Sequence, residues 1–160
     1  MKLRPETLDF FARAPLTLRD RVVIGKSPEE VFAALADATT WTKWFPLMTR
    51  CEWVSKETSG VGAERDVSLT LLGTYREKFI AWEPGERFSF TMTESSSPLA
   101  HAIAEDMILS PVEGGSATAI DWTMAAAPTL LGRVGRPILM ATMRRVFREG
   151  GSRLGRYLGA

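Results

Sequence analysis

Glu77 and Glu105 stand where strand alternation turns a carboxylate toward apolar neighbours. Between Tyr75 and Ala81, the long cationic chains of Arg76 and Lys78 take the outward side, leaving Glu77 inward with Tyr75 and Phe79. From Ile103 to Leu109 the same alternation sets Glu105 beside Met107 and Leu109. A carboxylate among apolar side chains is costly unless paired, and burial raises its pKa. Such a group can orient a ligand carbonyl or hydroxyl, or act as a general acid or base. The competing reading is structural: each pairs with Arg65 or a tyrosine, or lies in water at the end of a sheet. With tight turns at Gly73 and Pro84-Gly85, Leu69, Glu77 and Met92 lie side by side. Glu105 then falls beyond Met92, and the two carboxylates are two strand spacings apart, about 10 Å.

His101 is the only histidine and falls in the loop before a strand, where it could serve as an acid or base at a cavity mouth. With no orienting partner in view, a plain surface histidine is the favoured reading. Cys51 is the only cysteine, which excludes an intramolecular disulfide and a cysteine-rich metal site. A Cys51–His101 nucleophilic pair is disfavoured for want of a third, orienting group. Gly60-Val61-Gly62 lacks the third glycine and the following helix of a dinucleotide loop, so it reads as a turn. No metal and no cofactor is therefore expected. Leu69, Tyr75, Phe79, Phe88, Phe90, Met92, Met107, Trp122, Met143 and Phe147 share the same interior as the glutamates. They make either a packed core or the wall of a cavity for an apolar ligand, in which methionine adapts to ligand shape.

The elements that hold these residues follow from periodicity. The last stretch, Pro137 to Leu158, carries Leu139, Met140, Met143, Val146, Phe147, Leu154, Tyr157 and Leu158 on one helical stripe. Arginines take the other side, and Gly150 sits within the stripe, either for close packing or to leave room for a ligand. Residues 1–17 carry little signal; Pro5 to Arg13 suits a helical turn or two, with Leu8, Phe11 and Ala12 on one side. Leu18 to Ile24 reads as a strand. Ser27-Pro28-Glu29-Glu30 is a strong helix start, with a serine cap, proline at the first position and Glu30 closing the capping box. That helix runs to about Ala36, and Asp37 caps a second short one from Ala38 to Trp44. Strands follow over Cys51–Lys56, Arg65–Leu71, Tyr75–Trp82, Arg87–Glu94, Ile103–Leu109 and Thr118–Met124, joined mostly by tight turns. Helices segregated from antiparallel strands define an α+β class.

The motifs then resemble a known family in their order. Ser27-Pro28-Glu29-Glu30-Val31-Phe32, Leu35-Ala36-Asp37 and Trp41-x-x-Trp44-Phe45-Pro46 are similar to the opening of the polyketide cyclase/dehydrase-like branch of the START-related (SRPBCC) superfamily. Gly60 to Arg65, Glu77, Trp82 to Phe88 and Gly114-Gly115-Ser116 fit the same branch, so the resemblance spans roughly Leu18 to Leu158. It implies a helix-grip fold: about seven curved antiparallel strands around a long C-terminal helix, with two short helices after the first strand. It also implies a cavity for apolar or amphipathic molecules. The matched motifs are structural, so they carry over no catalytic residue. On this reading residues 1–17 form an N-terminal extension and 18–160 a single domain.

Composition narrows the function. At 160 residues, with 45% hydrophobic and 24% charged residues, the chain is one ordinary globular domain. A net charge of +1 argues against bulk attraction to nucleic acid. No apolar run approaches the roughly 20 residues of a spanning helix, nor does the N-terminus read as a signal peptide, so the cytoplasm is the default compartment. The favoured function is binding or carrying a small hydrophobic or amphipathic molecule. The alternatives are a polyketide cyclase or dehydratase acting on an aromatic precursor, for which Glu77, Glu105, Tyr75, Arg65 and His101 are the supply of polar groups, and a non-enzymatic interaction protein using the basic helix face. Membrane contact is the less favoured use of that face, and nothing in the sequence sets the oligomeric state.

Overall fold

Alternating apolar and polar residues resolve into seven antiparallel strands in the computed structural model, which describes residues 1–159. They are β1 (Leu16–Ile24), β2 (Met48–Trp53), β3 (Glu64–Leu69), β4 (Gly73–Glu83), β5 (Arg87–Ser95), β6 (Ala100–Val112) and β7 (Ala117–Pro128). Sheet order is β1-β7-β6-β5-β4-β3-β2, a meander from β2 to β7 with β1 returning beside β7. The helices are α1 (Phe10–Arg13), α2 (Pro28–Ala36), α3 (Trp41–Trp44), α4 (Leu130–Val134) and α5 (Arg136–Leu158). This is the expected helix-grip arrangement.

Local chemistry sets the helix starts. Ser27 Oγ accepts from the Glu30 N–H, and the Glu30 carboxylate accepts from the Ser27 N–H, the reciprocal box read from sequence. Asp37 accepts from the Thr39 N–H at 2.9 Å and opens a 3-10 turn, Ala38–Thr40, that runs into α3. Of the strand ends that differ from expectation, two have a local cause in the backbone. β2 begins at Met48, because Leu47 turns the chain at φ 64 directly after Pro46. Leu71 does not extend β3; it sits in the turn at φ 68 and is 95% exposed.

The stripe of α5 packs across the concave face of the sheet through Met143, Val146, Phe147 and Leu154. Tyr157 departs from that stripe and lies at its exposed margin. Gly150 faces the Phe45 ring, where an added Cβ would lie at 3.4 Å, an ordinary van der Waals contact. Gly151 is tighter still, with an added Cβ 2.6 Å from Val22 of β1. The Phe147 ring is fully buried and stacks on Trp122 at 4.5 Å between centroids. Phe147→Ala is expected to cost about 3–5 kcal/mol in a denaturant melt; an unchanged melt would show that this ring is not part of the packed core.

The N-terminal residues cover the convex face. Leu3 donates its N–H to the Thr93 carbonyl, and Arg4 donates to that of His101. The helical stretch there is only α1, and its buried residue is Phe10, set among Ala102, Ala104 and Ala125; the anticipated Phe11 is half-buried against the same cluster, whereas Ala12 is exposed. Glu6 is buried beside it and paired with Arg4 and Arg13.

Candidate functional site

Three neighbouring strands, β3, β4 and β5, bring charge and aromatic rings together. Because the β3–β4 turn occupies Thr70 to Leu72, Leu69 pairs with Gly73, and Arg65 falls opposite Glu77 in place of the expected Leu69. Glu77 pairs with Met92 on its other side, as expected from a turn at Pro84-Gly85. Glu105 of β6 lies opposite Phe90, not beyond Met92, so the two glutamates flank β5 diagonally.

Arg65 is completely buried. Its Nε donates to Glu77 Oε2 at 2.5 Å, while among the described residues Nη1 and Nη2 have no hydrogen-bond partner. The guanidinium carbon stands 4.3 Å from the Trp41 ring centroid and 5.2–5.6 Å from those of Phe79, Phe88 and Phe90. Ring faces thus take the place of oxygen acceptors around the cation. Burial works against the Arg65 charge, but the acidic groups around it, Glu77 foremost, together outweigh burial and raise the pKa. Burial pushes Glu77 up as well, against the pull of Arg65. A guanidinium does not deprotonate in a protein, so we assign Glu77 as its charged partner at neutral pH.

Glu105 is different. Burial first, and then the charge of Glu77, push its carboxyl up to about 8, despite a 3.0 Å hydrogen bond from Trp122 Nε1 to Oε2. It is therefore mostly neutral at pH 7, and among the described residues its Oε1 has no protein partner. One charged and one neutral carboxyl result from two environments on adjacent parts of one sheet.

Both glutamates line a cavity with a free volume of about 90 Å³ between the sheet and α5. By a measure in which one water needs about 10–15 Å³, that admits a compact molecule of roughly six to nine heavy atoms. Of the residues expected in its wall, Leu69, Tyr75, Glu77, Phe90, Met92, Glu105 and Met143 are there. Phe79, Phe88, Met107, Trp122 and Phe147 are not; they are packed core. Phe79 and Phe88 form an edge-on cluster with Trp82 and, through Phe88, with Phe32 of α2 that fills the other end of the fold. Trp122 is capped by Phe147 and reaches the cavity only through its bond to Glu105. Alternation selects a face of a strand but not the level along it, and four of the six aromatic residues expected in the wall, Phe79, Phe88, Trp122 and Phe147, lie in packed core instead.

Sequence reasoning missed Trp41, Phe45, Leu99, Ile103, Met124 and Leu139 as wall residues. Leu139 and Met124 were legible as inward positions. Leu99 comes from a loop without pattern and had no signal. His101 lies within β6 rather than in a loop, is exposed, and is absent from the wall. Cys51 is buried, and burial pushes its thiol up to about 11, so it forms no nucleophilic pair with the exposed His101.

The family model described as polyketide cyclase/dehydrase and lipid transport matches residues 15–159, from the first strand to the end of α5. The chain belongs to this family. An uncharacterised protein of Mycobacterium tuberculosis is 35% identical over 148 residues, covering 89% of this chain and 86% of its own. Among solved structures, the ZhuI aromatase/cyclase of a Streptomyces species superposes with a TM-score of 0.74 at 13% identity, over 90% of this chain and 93% of that one. A START superfamily protein of Mycobacterium smegmatis gives 0.72 at 11% identity, over 88% and 98%. At such identities these likenesses concern the fold. They agree with family membership on the helix-grip architecture.

Proposed function

We propose that the chain binds a small apolar molecule bearing one hydrogen-bonding oxygen, held in the cavity between the sheet and α5. The observation that carries this reading is the buried Glu105 carboxyl, which lines an otherwise largely apolar cavity and among the described residues is hydrogen-bonded only by Trp122, at Oε2. A ligand carbonyl or hydroxyl oxygen would accept a hydrogen bond from the Glu105 O–H, while Trp122 fixes the other oxygen. Glu77 belongs to the wall but is committed to Arg65, so Glu105 takes the role that alternation alone would give to Glu77. Charged ligands are disfavoured, since an added anion would meet Glu77 and an added cation would lose its water. The lone, buried Cys51 suits a reducing compartment, and the reading takes the cytoplasm as its location.

A matched pair of probes tests it. Acetophenone and ethylbenzene have nearly the same shape, and only the first accepts a hydrogen bond. Calorimetric titration at pH 6 is expected to favour acetophenone by about three- to tenfold, the worth of one neutral hydrogen bond. At pH 9.5, where Glu105 is ionised, the preference should vanish or reverse. Equal affinities at pH 6 would remove Glu105 from the role, and binding of neither probe would remove the cavity. The same neutral acid could protonate the carbonyl of an aromatic precursor, the second reading. Glu105→Gln separates the two, because it retains hydrogen bonding while abolishing proton transfer.

A further inference from the structure

Outside the cavity, one surface combines exposed apolar side chains with unopposed positive charge. Leu130, Leu131, Val134 and Ile138, on α4 and the first turn of α5, are 78%, 57%, 76% and 77% exposed. Between Asp121 and Glu149 the sequence has no carboxylate, yet it carries Arg133, Arg136, Arg144, Arg145 and Arg148. All five arginines are exposed. Only Arg148 forms an ion pair among the described residues, with Asp20 at 3.6 Å. Isolated exposed leucines need no explanation, but a contiguous set flanked by cations does.

The patch is held in place. The Thr129 N–H donates to the Leu99 carbonyl at 3.0 Å, its hydroxyl donates to the Pro98 carbonyl at 2.9 Å, and its Oγ1 caps α4 by accepting from the Gly132 N–H. A Cβ at Gly132 would lie 2.0 Å from the Leu99 carbonyl oxygen, so α4 sits directly on that loop. Leu99 and Pro128 belong to the cavity wall, which places the patch beside it.

We propose that the α4–α5 elbow is a docking surface for an anionic lipid bilayer, with Leu130, Leu131, Val134 and Ile138 entering the headgroup boundary and Arg133 and Arg136 meeting lipid phosphates. Apolar insertion and electrostatic attraction act together on such a surface, and neither suffices alone. No helix among the described residues is long and apolar enough to cross a membrane, so contact here is peripheral. A second copy of the chain is a poorer occupant, because a two-fold interface would set the arginines against themselves. The inference goes beyond the cavity reading and does not depend on what the cavity holds.

The test is flotation with vesicles of phosphatidylcholine alone, and of three parts phosphatidylcholine to one part phosphatidylglycerol. The parent chain should float with the anionic vesicles at low salt and far less at high salt. Arg133→Ser/Arg136→Ser should weaken binding by about thirtyfold, and Leu130→Ser/Ile138→Ser by about tenfold or more. Arg156→Ser, which alters a cation at the far end of α5, should bind to within a few-fold of the parent. All these positions are exposed, so circular dichroism should be unchanged. The proposal is overturned if the parent leaves the anionic vesicles unbound, or if Arg156→Ser is as damaging as the elbow variants. It is equally overturned if light scattering shows a lipid-free dimer that Leu130→Ser/Ile138→Ser dissolves, since the patch then belongs to a second copy.

Discussion

Arg65→Met is expected to destabilise the protein by about 3–5 kcal/mol, and Glu77→Leu by a similar amount. Each single change strands a charge in the core: Glu77 is nearly inaccessible, and Arg65 is enclosed by Trp41, Phe79, Phe88 and Phe90. The double variant should recover most of that loss, because a buried pair replaced by apolar groups of similar volume is often neutral or better. Urea melts of the four proteins form a double-mutant cycle. Additive losses, with the double variant the least stable, would mean that Arg65 and Glu77 do not depend on one another. A single-variant loss under about 1 kcal/mol would mean that water reaches the pair, as at an exposed salt bridge.

Glu105→Gln should stabilise the protein, and the gain should grow with pH. The folded-state pKa is raised to about 8 from 4.5. The folded state therefore binds the proton more tightly than the unfolded chain. Stability on this account is complete below about pH 4.5 and is lost as pH rises through 8. Near pH 9 the parent is destabilised by on the order of 4 kcal/mol, and the amide removes that burden. At pH 4 the two proteins should melt within a few degrees of each other. At pH 9 the variant should melt roughly 10 °C higher, given about 2–4 °C per kcal/mol for a domain of this size. A difference that is constant between pH 4 and 9 would show that Glu105 titrates normally.

The two glutamates show how far sequence reading reached. Their inward orientation followed from the cationic neighbours of Glu77 and the apolar neighbours of Glu105, since a strand offers only two faces. Their roles did not follow. Arg65 was named as a partner for either one, but which carboxylate it meets depends on a turn at Thr70–Leu72 instead of Gly73, a shift of a few residues that alternation does not register. The capping box at Ser27 and the α5 stripe were legible because both are local chemistry at fixed spacing. The cavity's position was not, because free space is a residue of packing: it lies where Trp41, Phe45 and Leu99 stop short of meeting. Phe79 and Phe88 point inward as predicted and still fill the opposite end. The docking patch was legible only in part, through the arginines of the last helix; Gly132, Gly135 and Pro137 suggest a kink or a short helix before the long one, and neither form tells that Leu130, Leu131, Val134 and Ile138 stay exposed.

The central claim is that the space between sheet and α5 is a binding site, and filling it is the most direct test. Ala126 lines the wall from β7, and Ala126→Phe should occupy the volume while the sheet remains intact. Parent and variant would be incubated with the same cell extract, repurified under native conditions, and their small molecules extracted for mass spectrometry. The parent should retain one or more compact apolar compounds bearing a carbonyl or hydroxyl, and folded Ala126→Phe should retain none of them. Equal retention by both proteins, or nothing retained by the parent, would contradict the account.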